Sequence, residues 1–169
     1  MHEMIKQAMC YARDAHSTQK YDEFPYFKHL ENTYNVLIEH GFTEDNIEDV
    51  PILVAAWLHD TLEDTATSYS DLKMMFGVEV AEIVFCVTDE LARNRKERKQ
   101  KTYPKIRSNS KAVIIKVADR IANVKHSKEK GNTDFIEMYR KEFDDFQREL
   151  RIYRHIDEMW SCLNDLLKV

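Results

Sequence analysis

Apolar residues recur along this chain every three or four positions, which is the period of an amphipathic helix. Ile5, Ala8 and Ala12 follow this period in the first segment, and Leu30 and Val36 follow it in the second. Helix-start signals, such as a proline or a Ser-x-x-Asp capping box, precede some of the later segments. The pattern predicts helices over the residue ranges 2–16, 28–40, 51–63, 68–77, 78–89, 93–106, 110–127, 133–149 and 151–168.

The composition agrees with this pattern. Only three glycines and three prolines occur among 169 residues, and Gly41, Gly77 and Gly131 all fall between predicted helices, where glycine commonly ends a helix. The sequence has no alternating apolar runs, internal repeats or linker segments. We therefore predict an all-α fold in which residues 1–169 form a single compact helical domain.

Neither a targeting segment nor a membrane segment is expected. The N-terminal residues lack a basic region followed by a continuous apolar region, and no run of about 18 apolar residues occurs. Cys10, Cys86 and Cys162 are far apart and form no C-x-x-C pair, so we expect reduced packing residues rather than disulfides or a zinc knuckle. These features predict a soluble, cytoplasmic protein without a membrane partner.

Charge is distributed unevenly along the chain. Residues 93–107 hold eight Lys or Arg residues against one Glu, a net charge of +7, in a chain whose overall charge is −5. A basic segment on an acidic body indicates a polyanionic ligand held locally, and the acidic total argues against general adhesion to nucleic acid. An ordinary solvated helix face is the alternative interpretation of this segment.

The candidate chemistry lies in an apolar part of the chain. The stretch HDTLED places His59, Asp60, Glu63 and Asp64 directly after the apolar residues 52–58. Positions four apart share a helix face, so on a helix His59 lies beside Glu63 and Asp60 lies beside Asp64. Unpaired charges are costly in apolar surroundings, whereas a divalent cation would neutralise the carboxylates and bind the imidazole.

Two further residues complete a candidate ligand set. His29 follows PYFK in the second predicted helix, and Asp119 lies in AVIIKVADRIANV, another strongly apolar helix. Nitrogen and oxygen ligands without a thiolate suit Mn, Fe, Zn or Mg and argue against a structural zinc site. Taken singly, a His-Asp dipeptide is common, and Asp119 could instead be a buried partner for Arg120 or a lysine. A surface or packing role is expected for the remaining histidines, which are His2, His16, His40, His126 and His155.

Most of the chain resembles the HD-domain phosphohydrolases, in the motifs PYFKH ending at His29, HDTLEDT at 59–65, FGVEVAEIVFCVTDE at 76–90, ERK at 97–99 and KVADRIAN at 116–123. The combination of HD-x-x-ED, VTD and D-R-x-x-N is similar in particular to the small single-domain RelA/SpoT-type hydrolases. That group removes the 3′-pyrophosphate of the alarmone (p)ppGpp. The resemblance implies an HD-domain helical bundle and a metal-dependent nucleotide pyrophosphohydrolase.

The resemblance also implies a role for each matching residue. The family's metal ligands, with Mn²⁺ as the implied ion, correspond to His29, His59, Asp60 and Asp119. Its acidic pair, which orients and deprotonates the attacking water, corresponds to Glu63 and Asp64, so no covalent nucleophile is required. Substrate contacts, including basic side chains that face the phosphates, are implied for Lys20, Tyr21, Arg98, Lys99, Asn123 and Tyr139.

Two departures from the family pattern leave the substrate open. Tyr21 stands where alarmone hydrolases usually carry an arginine that stacks on guanine, and Leu30 replaces the proline that normally follows the histidine. An HD-domain phosphohydrolase of another nucleotide is therefore the nearer alternative. A more distant one is a module that binds RNA or a protein through residues 93–107 and holds only a structural metal. A homo-oligomer is compatible with either interpretation.

Overall fold

The computed structural model describes residues 2–153 and 156–168, and most of these residues are helical. Its helices are α1 (Glu3–Ala15), α2 (Phe27–Glu39), α3 (Val50–Leu58), α4 (Thr61–Asp64), α5 (Tyr69–Val87), α6 (Arg95–Arg107), α7 (Ser110–Glu129), α8 (Thr133–Leu150) and α9 (Asp157–Leu167). Within these ranges the only β-structure is a hairpin of β1 (Lys20–Tyr21) and β2 (Phe24–Pro25). The predicted all-α class is confirmed. No helix in the described ranges combines the length and apolarity needed to cross a membrane.

Helix α7 runs through the centre of the fold. It contacts α2, α3, α5, α6, α8 and α9, and its apolar residues between Ala112 and Val124 are buried. The side-chain oxygen of Asn109 caps the helix by accepting hydrogen bonds from the backbone N–H groups of Lys111 and Ala112. Because α7 is surrounded by other helices, a polar side chain in its buried stretch requires a partner or a cavity.

Helix α3 is buried on nearly every side. All of its residues from Ile52 to Leu58 are buried, and it packs against α1, α2 and α5. The single helix predicted over 51–63 is wrong, because the structure interrupts it at His59 and Asp60 before α4 begins. The interruption coincides with the two residues of the HD motif.

Side-chain hydrogen bonds explain this interruption. Nδ1 of His59 lies 2.9 Å from the carbonyl oxygen of Ala56, and the hydroxyl of Thr61 donates to the carbonyl of Leu58 at 2.7 Å. A continuing α-helix would use both carbonyls to accept backbone N–H groups from the next turn. Local side chains therefore compete with helix propagation at this point.

Among the other predicted helix boundaries, some agree with the structure and one does not. Ser68 and Asp71 form the expected capping box, and Gly77 separates two helical stretches within α5 with φ +85° and ψ 166°. The last predicted helix, 151–168, begins later than expected, at the start of α9. His155 lies outside the described residues.

The hairpin between α1 and α2 has no counterpart among the predicted helices. Lys20 pairs with Pro25 and Tyr21 pairs with Phe24, and Asp22 adopts a positive φ of +52° in the turn. Aspartate tolerates this left-handed conformation better than most residues because its side chain can bond to nearby backbone. The hairpin brings the residues that precede α2 against the C-terminal half of α7.

Candidate active site

Three parts of the chain bring the four candidate metal ligands together. His29 lies in α2, His59 and Asp60 lie between α3 and α4, and Asp119 lies in α7. Nε2 of His29 is 3.2 Å from Nε2 of His59, 3.3 Å from Oδ2 of Asp60 and 3.4 Å from Oδ1 of Asp119. Nε2 of His59 is 3.0 Å from Oδ2 of Asp60 and 4.0 Å from Oδ1 of Asp119. Residues distant in the sequence thus form one compact cluster.

The donor set of this cluster suits a divalent cation. His29, His59 and Asp119 each offer a ligand atom, and these atoms lie within 4.8 Å of one another. Nδ1 of His59 faces a carbonyl oxygen, which can only accept, so in the neutral ring Nδ1 carries the proton and Nε2 keeps a lone pair. Both histidines are only 3% exposed. Imidazole nitrogens and carboxylate oxygens without a thiolate are ligands for Mn, Fe, Zn or Mg.

The carboxylates and imidazoles of the cluster shift one another's protonation. Burial by itself lowers the pKa of His59, but Asp60 and Asp119 raise it to about 9. Burial raises the pKa of Asp60, yet the two histidines outweigh burial and hold the pKa of that carboxyl well below its usual range. Lys116 adds a further cation, with Nζ 3.6 Å from Oδ2 of Asp119. The cluster therefore favours positive charge between its carboxylates.

The second acidic pair lies on α4, next to the ligands. Oε2 of Glu63 accepts a hydrogen bond from the backbone N–H of Asp89 at 3.0 Å. Burial raises the pKa of both carboxyl groups, and the charge of Asp60 adds to this shift at Glu63 and at Asp64. A carboxylate with a raised pKa is a stronger base than an ordinary one, so both groups are suited to accept a proton.

Tyrosines from the hairpin region bind the cluster from one side. The hydroxyl of Tyr26 donates to Oδ2 of Asp60 at 2.7 Å, and the hydroxyl of Tyr21 donates to Oδ1 of Asn123 at 3.0 Å. The amide of Asn123 in turn donates to Oδ1 of Asp119 at 2.5 Å. Burial and the charge of Asp60 raise the pKa of Tyr26, so its phenol stays protonated and remains a donor. These bonds join the hairpin to two of the candidate ligands.

A cavity of about 370 Å³ adjoins these contacts, and we call it the hairpin cavity. Four of the six predicted substrate residues line it, namely Lys20, Tyr21, Asn123 and Tyr139. The rest of its lining consists of Asp22, His126, Ser127, Lys130, Asn132 and Phe135. Aromatic rings offer stacking surfaces for a base, and lysines offer charge for phosphate. The cavity therefore has the chemistry of a nucleotide pocket.

The other two predicted substrate residues lie outside the hairpin cavity. Arg98 has Nη1 3.7 Å from Oδ2 of Asp89, the residue whose backbone binds Glu63. Lys99 forms an ion pair with Glu142 of α8 and lines a different cavity. Lys99 thus lines a different cavity from Tyr21 and Tyr139, with which the family resemblance grouped it.

Sequence reasoning missed two histidines that lie close to the site. His16 is buried, its ring stacks on Tyr26 at a centroid distance of 4.8 Å, and its Nδ1 contacts Oε1 of Gln19. Nε2 of His126, on α7, lies 2.6 Å from Oδ2 of Asp22 at the tip of the hairpin. Their partners lie on or beside the hairpin, so the helical pattern alone gave no signal for these contacts.

The fold and the site together define a class of protein. A mainly helical chain that gathers two histidines and two aspartates around one point, with a second acidic pair beside it, has the ligand and base set of a metal-dependent phosphohydrolase. Residues 8–147 match the HD domain family, and the chain belongs to that family.

Several curated relatives are named as guanosine-3′,5′-bis(diphosphate) 3′-pyrophosphohydrolases. The chain is 31% identical over 126 residues to the guanosine-3′,5′-bis(diphosphate) 3′-pyrophosphohydrolase MESH1 of Danio rerio, covering 72% of this chain and 68% of the relative. The MESH1 of Drosophila melanogaster is 33% identical over 123 residues, covering 70% of this chain and 66% of the relative. An Aquifex aeolicus pyrophosphohydrolase is 34% identical over 128 residues, which span 73% of this chain but only 18% of that longer protein.

Solved structures agree with this family. A structure described as a metazoan ortholog of SpoT that hydrolyses ppGpp superposes with a TM-score of 0.80 and 25% identity, covering 98% of this chain and 94% of the other. A Listeria monocytogenes protein superposes with a TM-score of 0.63 and 25% identity, covering 85% of this chain and 98% of the other. The first match extends over nearly the whole length of both chains.

Proposed function

We propose that this protein is a (p)ppGpp 3′-pyrophosphohydrolase, which releases pyrophosphate and leaves GDP or GTP. The observation that carries the proposal is the compact His29, His59 and Asp119 cluster, which Asn123 links to the wall of the hairpin cavity. The names of the relatives supply the substrate. A cavity of about 370 Å³ is within the usual size range of small-molecule sites.

In this proposal, four residues hold the metal ion, and Mn²⁺ is the ion that the family resemblance implies. They are His29, His59, Asp60 and Asp119. When bound, the ion supplies Lewis-acid chemistry, polarising the phosphate and acidifying the water. The protein's part is to present the Nε2 atoms of His29 and His59 and to fix Asp60 through the hydroxyl of Tyr26.

Glu63 and Asp64 act on the attacking water. One of these carboxylates accepts a proton while the water oxygen forms its bond to the phosphorus nearest the 3′ oxygen. The bond between that phosphorus and the 3′ oxygen breaks, the 3′ oxygen takes up a proton to become a hydroxyl, and the departing pyrophosphate carries the oxygen of the water. The hydrogen bond from the backbone of Asp89 fixes the orientation of Glu63.

The hairpin cavity holds the nucleoside in this assignment. The rings of Tyr21 and Tyr139 provide stacking surfaces, Lys20 provides a cation for the phosphates, and Asn123 provides an amide beside Asp119. Tyr21 can stack on a base as an arginine does, but its phenol is uncharged at neutral pH, and burial raises its pKa further. Selectivity for guanine then rests on fewer cationic contacts than in enzymes with arginine at this position.

The charge pairing of residues 93–107 supports an enzyme over an RNA-binding module. Among the described residues, seven of the eight basic side chains in this segment form ion pairs, and only Lys96 has none. Charges already paired within the protein release few counterions on binding a polyanion. A cytoplasmic location and a homo-oligomer stay predictions from the sequence.

A substrate panel tests the proposal. Purified protein is incubated with Mn²⁺ and ppGpp, pppGpp, deoxynucleoside monophosphates or NADPH, and the products are separated by anion exchange. We expect pyrophosphate with GDP from ppGpp, and pyrophosphate with GTP from pppGpp. The Glu63→Gln/Asp64→Asn double variant, which lacks both candidate bases, serves as the inactive control. Release of orthophosphate from another nucleotide, with no product from either alarmone, would assign the chain to a different HD-domain phosphohydrolase.

A further inference from the structure

A second cavity, of about 580 Å³, lies between α6 and α8, and we call it the α6–α8 cavity. Its lining includes Arg95, Lys96, Lys99, Tyr103, Lys141 and Arg148. It shares no lining residue with the hairpin cavity. The proposed reaction uses none of the space in this cavity.

Glu142, on the wall of the α6–α8 cavity, is surrounded by more positive charge than it can neutralise. Arg95 Nε lies 2.6 Å from Oε1 of Glu142, Arg120 Nη1 lies 3.3 Å from Oε2, and Lys99 contacts the same carboxylate. Three basic side chains therefore share one carboxylate. Burial, with the charges of Arg120 and Arg95, lowers the pKa of Lys99 to about 7 despite the contact with Glu142.

Two further polar groups of this cavity have no partner. Tyr103 is only 6% exposed, and its hydroxyl makes no hydrogen bond to any described residue. Lys96 is exposed at the rim and forms no ion pair within the described ranges. A buried hydroxyl without a partner is costly, and a ligand with acceptor oxygens would satisfy it.

We propose that the α6–α8 cavity is a second ligand site, which binds a small phosphate-bearing anion. Phosphate oxygens accept hydrogen bonds from Arg, Lys and Tyr side chains. Their negative charge offsets the basic side chains around Glu142 that one carboxylate does not neutralise. A long polyanion fits less well, because Asp145 and Glu149 also line the cavity and would repel the chain on either side. The site therefore takes an anion of low molecular mass.

Arg120 places this second site next to the catalytic cluster. Its guanidinium group contacts Glu142 on one side and lies 4.7 Å from the ring centroid of Tyr139, which lines the hairpin cavity. Arg120 also follows Asp119 directly in the sequence. An anion that competes with Glu142 for its cations changes the environment of Arg120, so its binding alters turnover as well.

Calorimetric titration of the metal-loaded protein with inorganic phosphate tests this site. We expect two binding events in the wild type, one at the metal and one in the α6–α8 cavity. Lys99→Met and Lys96→Ala should each weaken binding in the α6–α8 cavity and leave binding at the metal unchanged. The loss should be about tenfold for Lys99→Met, because Lys99 contacts Glu142 directly. Metal content should stay unchanged in both variants. Lys101→Ala, on the same helix but outside the cavity, is the matched control and should keep both events.

Several results would overturn the proposal. One is a single binding event in the wild type, and another is a second event that survives both Lys99→Met and Lys96→Ala. A loss of equal size in Lys101→Ala would show that only general charge is involved. Lys96 is exposed, so its replacement keeps the test valid even if Lys99→Met folds poorly. The titration does not depend on the alarmone reaction, because the substrate panel can fail while the second event remains.

Discussion

The candidate ligands in this site already form hydrogen bonds within the protein, and these bonds decide which of their atoms are free to bind an ion. Nδ1 of His59 donates to the carbonyl of Ala56, so only Nε2 is available to an ion. Asp60 accepts a hydrogen bond from the hydroxyl of Tyr26, and Asp119 accepts one from the amide of Asn123. These second contacts restrict the orientation of each ligand before any ion binds, which is how outer partners tune metal sites.

Glu63 and Asp64 are expected to act in turnover and not in metal retention. Glu63→Gln and Asp64→Asn keep the shape of each side chain but remove the base, so turnover should fall by roughly 10²–10⁴ in at least one variant. Metal content, measured by atomic emission, should match the wild type. Glu137→Gln, an exposed change on α8, is the control. Wild-type turnover in both variants would remove the pair from the mechanism.

The raised pKa of Glu63 has a consequence for the pH profile. A base works only when deprotonated, so kcat/KM should fall as the pH drops through a pKa above the value of about 4.3 that is usual for glutamate. Above that pKa the carboxylate is free and activity should be level with respect to this group. The measurement is kcat/KM between pH 5 and 8, in wild type and in Glu63→Gln. An acidic limb that is identical in both proteins would contradict the assignment.

Gln19 is expected to position the catalytic carboxylates from outside the site. Its amide nitrogen donates to the backbone carbonyl of Asp64 at 2.6 Å, while its amide oxygen contacts Nδ1 of His16. Gln19→Ala removes one hydrogen bond to the end of α4, so kcat should fall about three- to tenfold with little change in KM or metal content. Thr18→Ala, an exposed neighbour, serves as the control. A rise in KM with unchanged kcat would place Gln19 in substrate binding instead.

At the scale of helices and strands, the sequence predicts the features that depend on neighbouring residues, such as helix positions and the kink at a glycine. The spacing of apolar residues located α1 and α2, the predicted bounds of α6, α7 and α8 lie within two residues of the observed ones, and the glycine at position 77 located the kink in α5. The break at His59 was not predictable from spacing, because it arises from side-chain bonds to helix carbonyls. The hairpin was missed because its strands have two residues each, too few for an alternating pattern.

Gly77 is expected to resist substitution for reasons of backbone conformation. Its φ of +85° and ψ of 166° lie in a region that residues with a Cβ atom rarely adopt, although nothing lies within 4 Å of a Cβ built there. Gly77→Ala should therefore lower the free energy of unfolding by about 1–3 kcal/mol through strain alone. Gly131→Ala, at φ +65°, is the comparison and should cost less. Equal stability of Gly77→Ala and wild type in urea denaturation would refute the strain argument.

At the scale of the whole molecule, long-range packing decides which predicted residues meet. The motifs named the ligands, and α2, α3 and α7 pack against one another and bring them together. Lys99 was grouped with the substrate residues because the family resemblance implies basic side chains that face the phosphates. Its partner Glu142 lies on α8, and no local pattern in the sequence connects the two. Ion pairs between residues far apart in the sequence are therefore the part of the site that could not be predicted from the sequence.

Because the ligands come from separate parts of the fold, metal binding should stabilise the whole molecule. A cation joins α2, the segment after α3, and α7, and it binds the folded state in preference to the unfolded chain. At an ion concentration about 100 times Kd this contributes about 2.7 kcal/mol, so chelation should lower Tm by roughly 5–10 °C. The measurement is thermal unfolding with and without chelator, followed by circular dichroism. Asp119→Asn, which keeps the size of the side chain, should respond to chelator much less than the wild type. An equal response in both proteins would mean that the stabilising ion binds elsewhere.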